Sequence, residues 1–397
     1  MINRYYNGVR RQWTTRCCSA IALTFLAGNA LFARSEAPPP AFFPVQSLWT
    51  LALNNGITAA PVYSGGVGFF SIDGARLVAY QLTSGTERWI VPANPQSKPA
   101  VSDSMVFVAE PDAIRALRQA DGSEAWSVPL AEPLAAPLVW DNGWLVAANA
   151  TGRVMAFRAT DGREIWRREL GAAIRATPAL AADRVYVAPT DGDLVSMLVT
   201  SGEVVWQRRL GGPATSILAL DDRVFAGSSD NYFYAVGAKH GEVLWRVRTG
   251  GDVIGAAALD DKHVYFVSLD NILRALDRRT GAQIWKRALP VRPTSGPVLV
   301  GTSLVVLGLD PTLHVFETKD GKPGTDVKSD SVISAPPAVV LAPSMPNPLL
   351  VYVSTDISNI STVIASTRSM EPTVLGPLAP LPNPVKPLPV PSPAPTP

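Results

Sequence analysis

The stretch "ALDRRTGAQIW", Ala275–Trp285, decides the fold, because it recurs. Aligned on the tryptophan, the chain repeats it as "AYQLTSGTERW" ending at Trp89, "ALRQADGSEAW" at Trp126, "AFRATDGREIW" at Trp166, "SMLVTSGEVVW" at Trp206 and "AVGAKHGEVLW" at Trp245. Successive tryptophans stand 37, 40, 40, 39 and 40 residues apart, and a further copy, "VFETKDGKPGT", keeps Gly321 but carries Thr325 in the tryptophan position. A site occurs once and a building unit many times, so a fixed period near forty residues marks a repeat architecture.

Each unit divides into four short strands. In one copy, "ATPAL" from Ala176, "DRVYVAPTDG", "LVSMLVTSG" and "EVVWQRRL" are apolar or alternating runs rich in Val and Leu. Between them lie Asp191-Gly192 and Ser201-Gly202, the dipeptides of tight hairpins whose glycines supply positive φ. Four short strands per repeat predict an all-β, eight-bladed β-propeller of four-stranded antiparallel blades. Gly85, Gly122, Gly162, Gly202, Gly241, Gly281 and Gly321 are its repeated turn glycines. Ten residues before each tryptophan position stand Ala79, Ala116, Ala156, Ser196, Ala235, Ala275 and Val315, mostly small. Such residues leave clearance for an indole from the same or a neighbouring blade, and each indole buries about 150–250 Å².

The ends predict how the ring closes. Trp49, in "SLWTLAL", lies 40 residues before Trp89 with no complete blade ahead of it. After the seventh copy, "SVISAPPAVV", "PLLVYVSTD" and "ISTVIASTR" supply three strands and no fourth. Pairing the N-terminal strand with these completes the eighth blade and removes two open edges. The expected organisation is a signal peptide over 1–33, a linker over 34–45, the propeller over 46–368 and a proline-rich, disordered tail over 369–397. The signal rests on a basic start and the apolar run "CCSAIALTFLAGNALFA". An uncleaved anchor is the alternative. Of the 27 residues from Glu371, 11 are proline, which suits an extended tether.

Cys17 and Cys18 are the two cysteines and stand at the head of the apolar run, within the expected signal, so the mature chain is expected to contain no thiol chemistry. Formal net charge is +2, and four of the arginines belong to the signal, leaving a near-neutral body with no electrostatic case for nucleic acid.

The repeated Gly-x-x-x-Trp with its upstream small residue resembles the pyrroloquinoline-quinone-like eight-bladed propellers. Within that group, the compact length and the opening "LWTLAL" resemble the family of the outer-membrane protein assembly factor BamB. The resemblance implies a non-catalytic periplasmic scaffold, outer-membrane associated. Its implied partners are the periplasmic domains of the β-barrel insertase and unfolded outer-membrane clients. It also carries a partner-binding role to Ile174 and Arg175 in "GAAIRATPAL". The acidic pair expected in the next connection is replaced by Gly211, Gly212 and Pro213. No cysteine follows the apolar run, so a lipid anchor is not supported.

Two other functions compete. A quinone-dependent dehydrogenase needs a cation held by carboxylates, a catalytic aspartate and long loops to roof the cofactor. The connections "LGAAIRATP", "LGGPATS" and "TGGDVIG" are short, and the aspartates occupy turns (Asp73, Asp161, Asp191) or strand starts (Asp183, Asp221, Asp260). No catalytic, metal or cofactor-binding residue is therefore expected, and His240, His263 and His314, in separate blades, read as surface residues. A polysaccharide-binding propeller would use Trp140 and Trp144, which flank the turn "DNG" and are expected to meet across it. The outer strands after each tryptophan carry Arg167, Arg168, Arg208, Arg209, Arg246, Arg248, Lys286 and Arg287, a basic rim expected to protect strand edges. The expected state is a monomer.

Overall fold

The computed structural model describes residues 41–342, 345 and 347–369. The expected signal, the first part of the linker and the proline-rich segment from residue 370 lie outside them. The described residues form eight antiparallel sheets around a ring. Seven blades run in order over 62–92, 100–129, 139–169, 179–209, 214–248, 253–288 and 298–328, each with its first strand innermost and its fourth outermost.

The eighth blade is composite. Ala338–Val340 and Val332–Ile333 both pair with Leu349–Thr355, which pairs with Ser361–Arg368. The N-terminal strand Val45–Ala52 forms the outer edge, in register from Val45↔Arg368 to Ala52↔Thr362 with a bulge between Ser47 and Trp49. The two ends of the ring thus share one ladder, as the missing fourth strand predicts.

The core is divided into eight wedges, one between each neighbouring pair of blades. One contains Tyr186, Leu194 and Trp206 of the fourth blade with Ala214, Val224 and Val236 of the fifth; another joins Val78 of the first to Val351 and Val363 of the eighth. Second and third strands are buried on both faces along their centres, innermost strands are partly exposed, and outer strands are mostly exposed apart from the tryptophan.

The repeated motif is the mortar of these wedges. Ala79, Ala116, Ala156, Ser196, Ala235 and Ala275 pair directly with their own blade's tryptophan across the third and fourth strands. On the other side they pair with Phe69, Phe107, Val146, Tyr186, Phe225 and Tyr265 of the second strand. A small residue between two aromatic ones lets the rings meet over it, as in Tyr186–Trp206 at 5.9 Å and Phe107–Trp126 at 5.8 Å. The clearance is therefore within the blade.

The indole then reaches the next blade. Trp89 donates to Gln119 O at 2.9 Å, Trp166 to Val199 O at 2.6 Å, Trp206 to Ala238 O at 2.8 Å and Trp285 to Thr318 O at 2.9 Å. Trp49 donates to Leu82 O at 2.7 Å and joins the composite blade to the first. Each ring also lies over the turn glycine of that next blade.

Candidate binding surface

Because the strands alternate in direction, the connections between blades and the turns from second to third strand open on one face of the ring. The remaining turns, including the repeated glycines, open on the other. The first face combines segments from all eight blades and is where this fold gathers groups from distant sequence.

Ile174 and Arg175 lie on this face in the connection between the third and fourth blades. Ile174 is fully buried, packed in the wedge between those blades, and bridges Pro189. Arg175 is exposed and makes no ion pair with a described residue. Of the two side chains, only that of Arg175 reaches solvent.

The connection at Gly211 and Gly212 has no acid of its own, but one is delivered from the neighbouring turn. A Cβ at Gly211 would fall 2.1 Å from Oδ2 of Asp230, which also accepts the Tyr234 hydroxyl. Asp230 follows the second strand of the fifth blade, so sequence neighbourhood could not reveal it. Asp270 repeats the placement one blade on, accepting Gly250 N at 2.8 Å and Arg274 Nη2 at 2.5 Å. Burial raises the Asp270 pKa, yet hydrogen bonds from Arg274, Ser268 and Gly250 outweigh it and hold the carboxyl at about 2. Glycines without side chains let these carboxylates approach the backbone.

Lys98 belongs to the connection between the first and second blades. The residue is exposed, but desolvation of its ammonium lowers its pKa.

Three of the other expectations are corrected. His314 is buried, its ring held between Asp310 at 3.0 Å and Asp326 at 3.1 Å; His240 is exposed and His263 half-buried beside Asp260. Trp140 pairs with Leu145 and Trp144 with Asp141, so strand pleating sends the two indoles to opposite sides. Trp140 packs toward the second blade and Trp144 toward the fourth. The basic rim is partly a set of clamps. Arg168 Nε donates to Gly202 O at 3.0 Å and Arg287 Nε to Gly321 O at 3.1 Å, with Arg208 reaching Gly241 O likewise. Arg167 is exposed and pairs with Glu164 at 2.6 Å. Between the rim cations, Ile165, Val205, Leu244 and Ile284 stand exposed on four consecutive outer strands.

Among the described residues, no three His, Cys, Asp or Glu side chains converge as ligands of a metal ion.

Known proteins resemble this ring closely in shape. The crystal structure of BamB from Moraxella catarrhalis superposes with a TM-score of 0.67 at 16% identity, covering 81% of this chain and all (100%) of that one. The computationally designed Ika8 protein superposes at 0.68 with 14% identity, covering 81% of this chain and 99% of that one. Quinohemoprotein alcohol dehydrogenase from Comamonas testosteroni superposes at 0.67 with 12% identity, covering 81% of this chain and 76% of that one. A BamB, a designed protein and an alcohol dehydrogenase fit almost equally, so the ring alone does not distinguish their activities. No curated protein sequence matches the chain. The family described as outer membrane protein assembly factor BamB matches residues 46–133, 110–221 and 199–355, spanning seven blades and all of the eighth except its strand Ser361–Arg368. By that match, and by the ring that its repeats build, the chain belongs to the BamB family of pyrroloquinoline-quinone-like propellers.

Proposed function

We propose that this protein is a non-catalytic, monomeric scaffold of the periplasm that binds other envelope proteins during outer-membrane β-barrel assembly. The observation that carries the reading is the family match along the ring, combined with a loop face that presents single charged groups. Arg175, on the connection between the third and fourth blades, offers an unpaired cation to an acidic partner surface, and Asp230 offers a carboxylate on the same face. Such sparse charges favour recognition and orientation of a folded partner. The exposed apolar residues of the outer strands provide a second contact type, suited to an extended client strand.

Affinity capture of the full chain from solubilised envelopes, with partners identified by mass spectrometry, tests this. Recovery of a β-barrel insertase component is expected; recovery of none contradicts the assembly role. The likeness to a quinohemoprotein favours a second reading, a quinone-dependent dehydrogenase. Stoichiometric binding of pyrroloquinoline quinone with Ca²⁺, together with dye-linked oxidation, would establish that reading instead.

A further inference from the structure

Seven junctions between blades are closed by an indole, and the junction of the seventh with the eighth is not. Thr325 occupies the tryptophan position, and the outer strand there shrinks to Val327–Lys328, whereas the sixth blade has Gln283–Ala288. Aliphatic residues and Phe42 fill the inner part of this junction. Beside them remains a cavity of about 260 Å³ lined by Val45, Ser47, Thr325, Val327, Tyr352 and Ser366, and by the charged residues Asp326 and Lys328.

Two of these residues bring hydroxyls to the cavity. Tyr352 is 5% exposed and Ser366 2%, and neither hydroxyl makes a hydrogen bond with a described residue. Neither hydroxyl is an enclosed orphan, so each meets solvent through the cavity and can donate to or accept from a group that displaces that water. In the complete junctions the indole N–H finds a carbonyl three residues past the next blade's small residue: Gln119 after Ala116, Val199 after Ser196, Thr318 after Val315. The corresponding residue of the eighth blade, three past Ala365, is Arg368, whose ladder partner Val45 lines the cavity.

We propose that this cavity receives a tryptophan side chain from an extended segment of a partner protein, completing from outside the series of inter-blade indoles. The volume lies below the ~300–1,000 Å³ of small-molecule sites, which suits one side chain. An indole supplies an N–H donor for these hydroxyls and the flat apolar face that Val45 and Val327 would cover. The segment following Ser369 is a poorer occupant, since residues 370–397 contain no aromatic residue. This site rests on the scaffold reading above, to which it adds the chemistry of one contact.

The test is a fluorine NMR titration of the full chain with an acetylated, amidated peptide Ser-Val-Trp-Val-Ser containing fluorotryptophan, with competition by the unlabelled peptide and by its leucine counterpart. Saturable binding to the tryptophan peptide alone is expected. Thr325→Trp should abolish it by filling the cavity, and Tyr352→Phe should weaken it by roughly two- to tenfold, the worth of one hydrogen bond. No binding, equal competition by the leucine peptide, or unchanged affinity in Thr325→Trp would overturn the proposal. Should Thr325→Trp fail to fold, unchanged affinity in both Tyr352→Phe and Ser366→Ala would overturn it equally. A chain that captures envelope partners but ignores the peptide keeps the scaffold reading and loses this site.

Discussion

The ring of Trp166 lies on Gly202 of the following blade so closely that a Cβ there would stand 2.5 Å from Cε3 of the indole. The same glycine has φ of +68°, so the turn and the blade contact both require it. Gly202→Ala is therefore expected to cost about 2–4 kcal/mol, a left-handed alanine plus overpacking against a fixed ring. Gly143, with φ of +87° and nothing within 4 Å of a built Cβ, isolates the backbone part; Gly143→Ala should cost only about 1 kcal/mol. Denaturant unfolding of both variants checks the difference, and equal costs would show that the indole contributes no constraint.

Position after the tryptophan separates two kinds of arginine. Arg208 donates to the turn carbonyl of Gly241 in the next blade, whereas Arg167 is exposed and paired only with Glu164. Arg208→Ala should lower stability by about 1–2 kcal/mol, whereas Arg167→Ala should leave the unfolding midpoint unchanged, since an exposed ion pair contributes little. Matching unfolding midpoints for the two variants would return the whole rim to edge protection.

Much of this architecture is legible in the sequence because the repeat is written in residue types with few alternatives. A glycine, a small residue and an indole at fixed spacing predict blade number and turn positions, and the missing fourth strand predicts closure through an N-terminal strand over Leu48–Leu53, which the fold places at Val45–Ala52. The second task of each glycine, lying beneath the preceding blade's indole, is a contact between repeats and has no signature within one. The candidate surface was harder to read for the same reason. Asp230 approaches Gly211 from another loop, and Ile174 is turned into a wedge by pairing with Pro189. His314 looks like an isolated histidine until the fold brings Asp310 and Asp326 to its two nitrogens.

Acid should reveal the Asp270–Arg274 pair. The Asp270 pKa falls from 3.8 to about 2 in the folded chain, so its contribution is complete above the unfolded value. It is lost as pH falls from 3.8 toward 2, where the unfolded state binds the extra proton first. Unfolding midpoints measured from about pH 5 to about pH 2 should fall less steeply in Asp270→Asn than in the parent chain. An identical slope would mean that the pair is not formed in solution.

Lys98 has the opposite sign. Its pKa lies below 10.5 because desolvation disfavours the ammonium, so it costs stability below its folded value and stability rises with pH between that value and 10.5. More of its amine is neutral and nucleophilic near neutrality. Limited acetic anhydride treatment, read by peptide mass spectrometry, should acetylate Lys98 ahead of the exposed Lys239 and Lys262. Slower labelling of Lys98 would contradict a desolvated yet accessible amine.

Scaffold function through the loop face is tested most directly by placing a photo-crosslinking amino acid at Arg175 and, as a control on the opposite face, at Ser201, in the full chain within the producing cell. Irradiation should join the Arg175 position to a periplasmic domain of the β-barrel insertase and leave the Ser201 position without that product. Absence of the product at Arg175, or equal yields at both positions, would contradict the assignment.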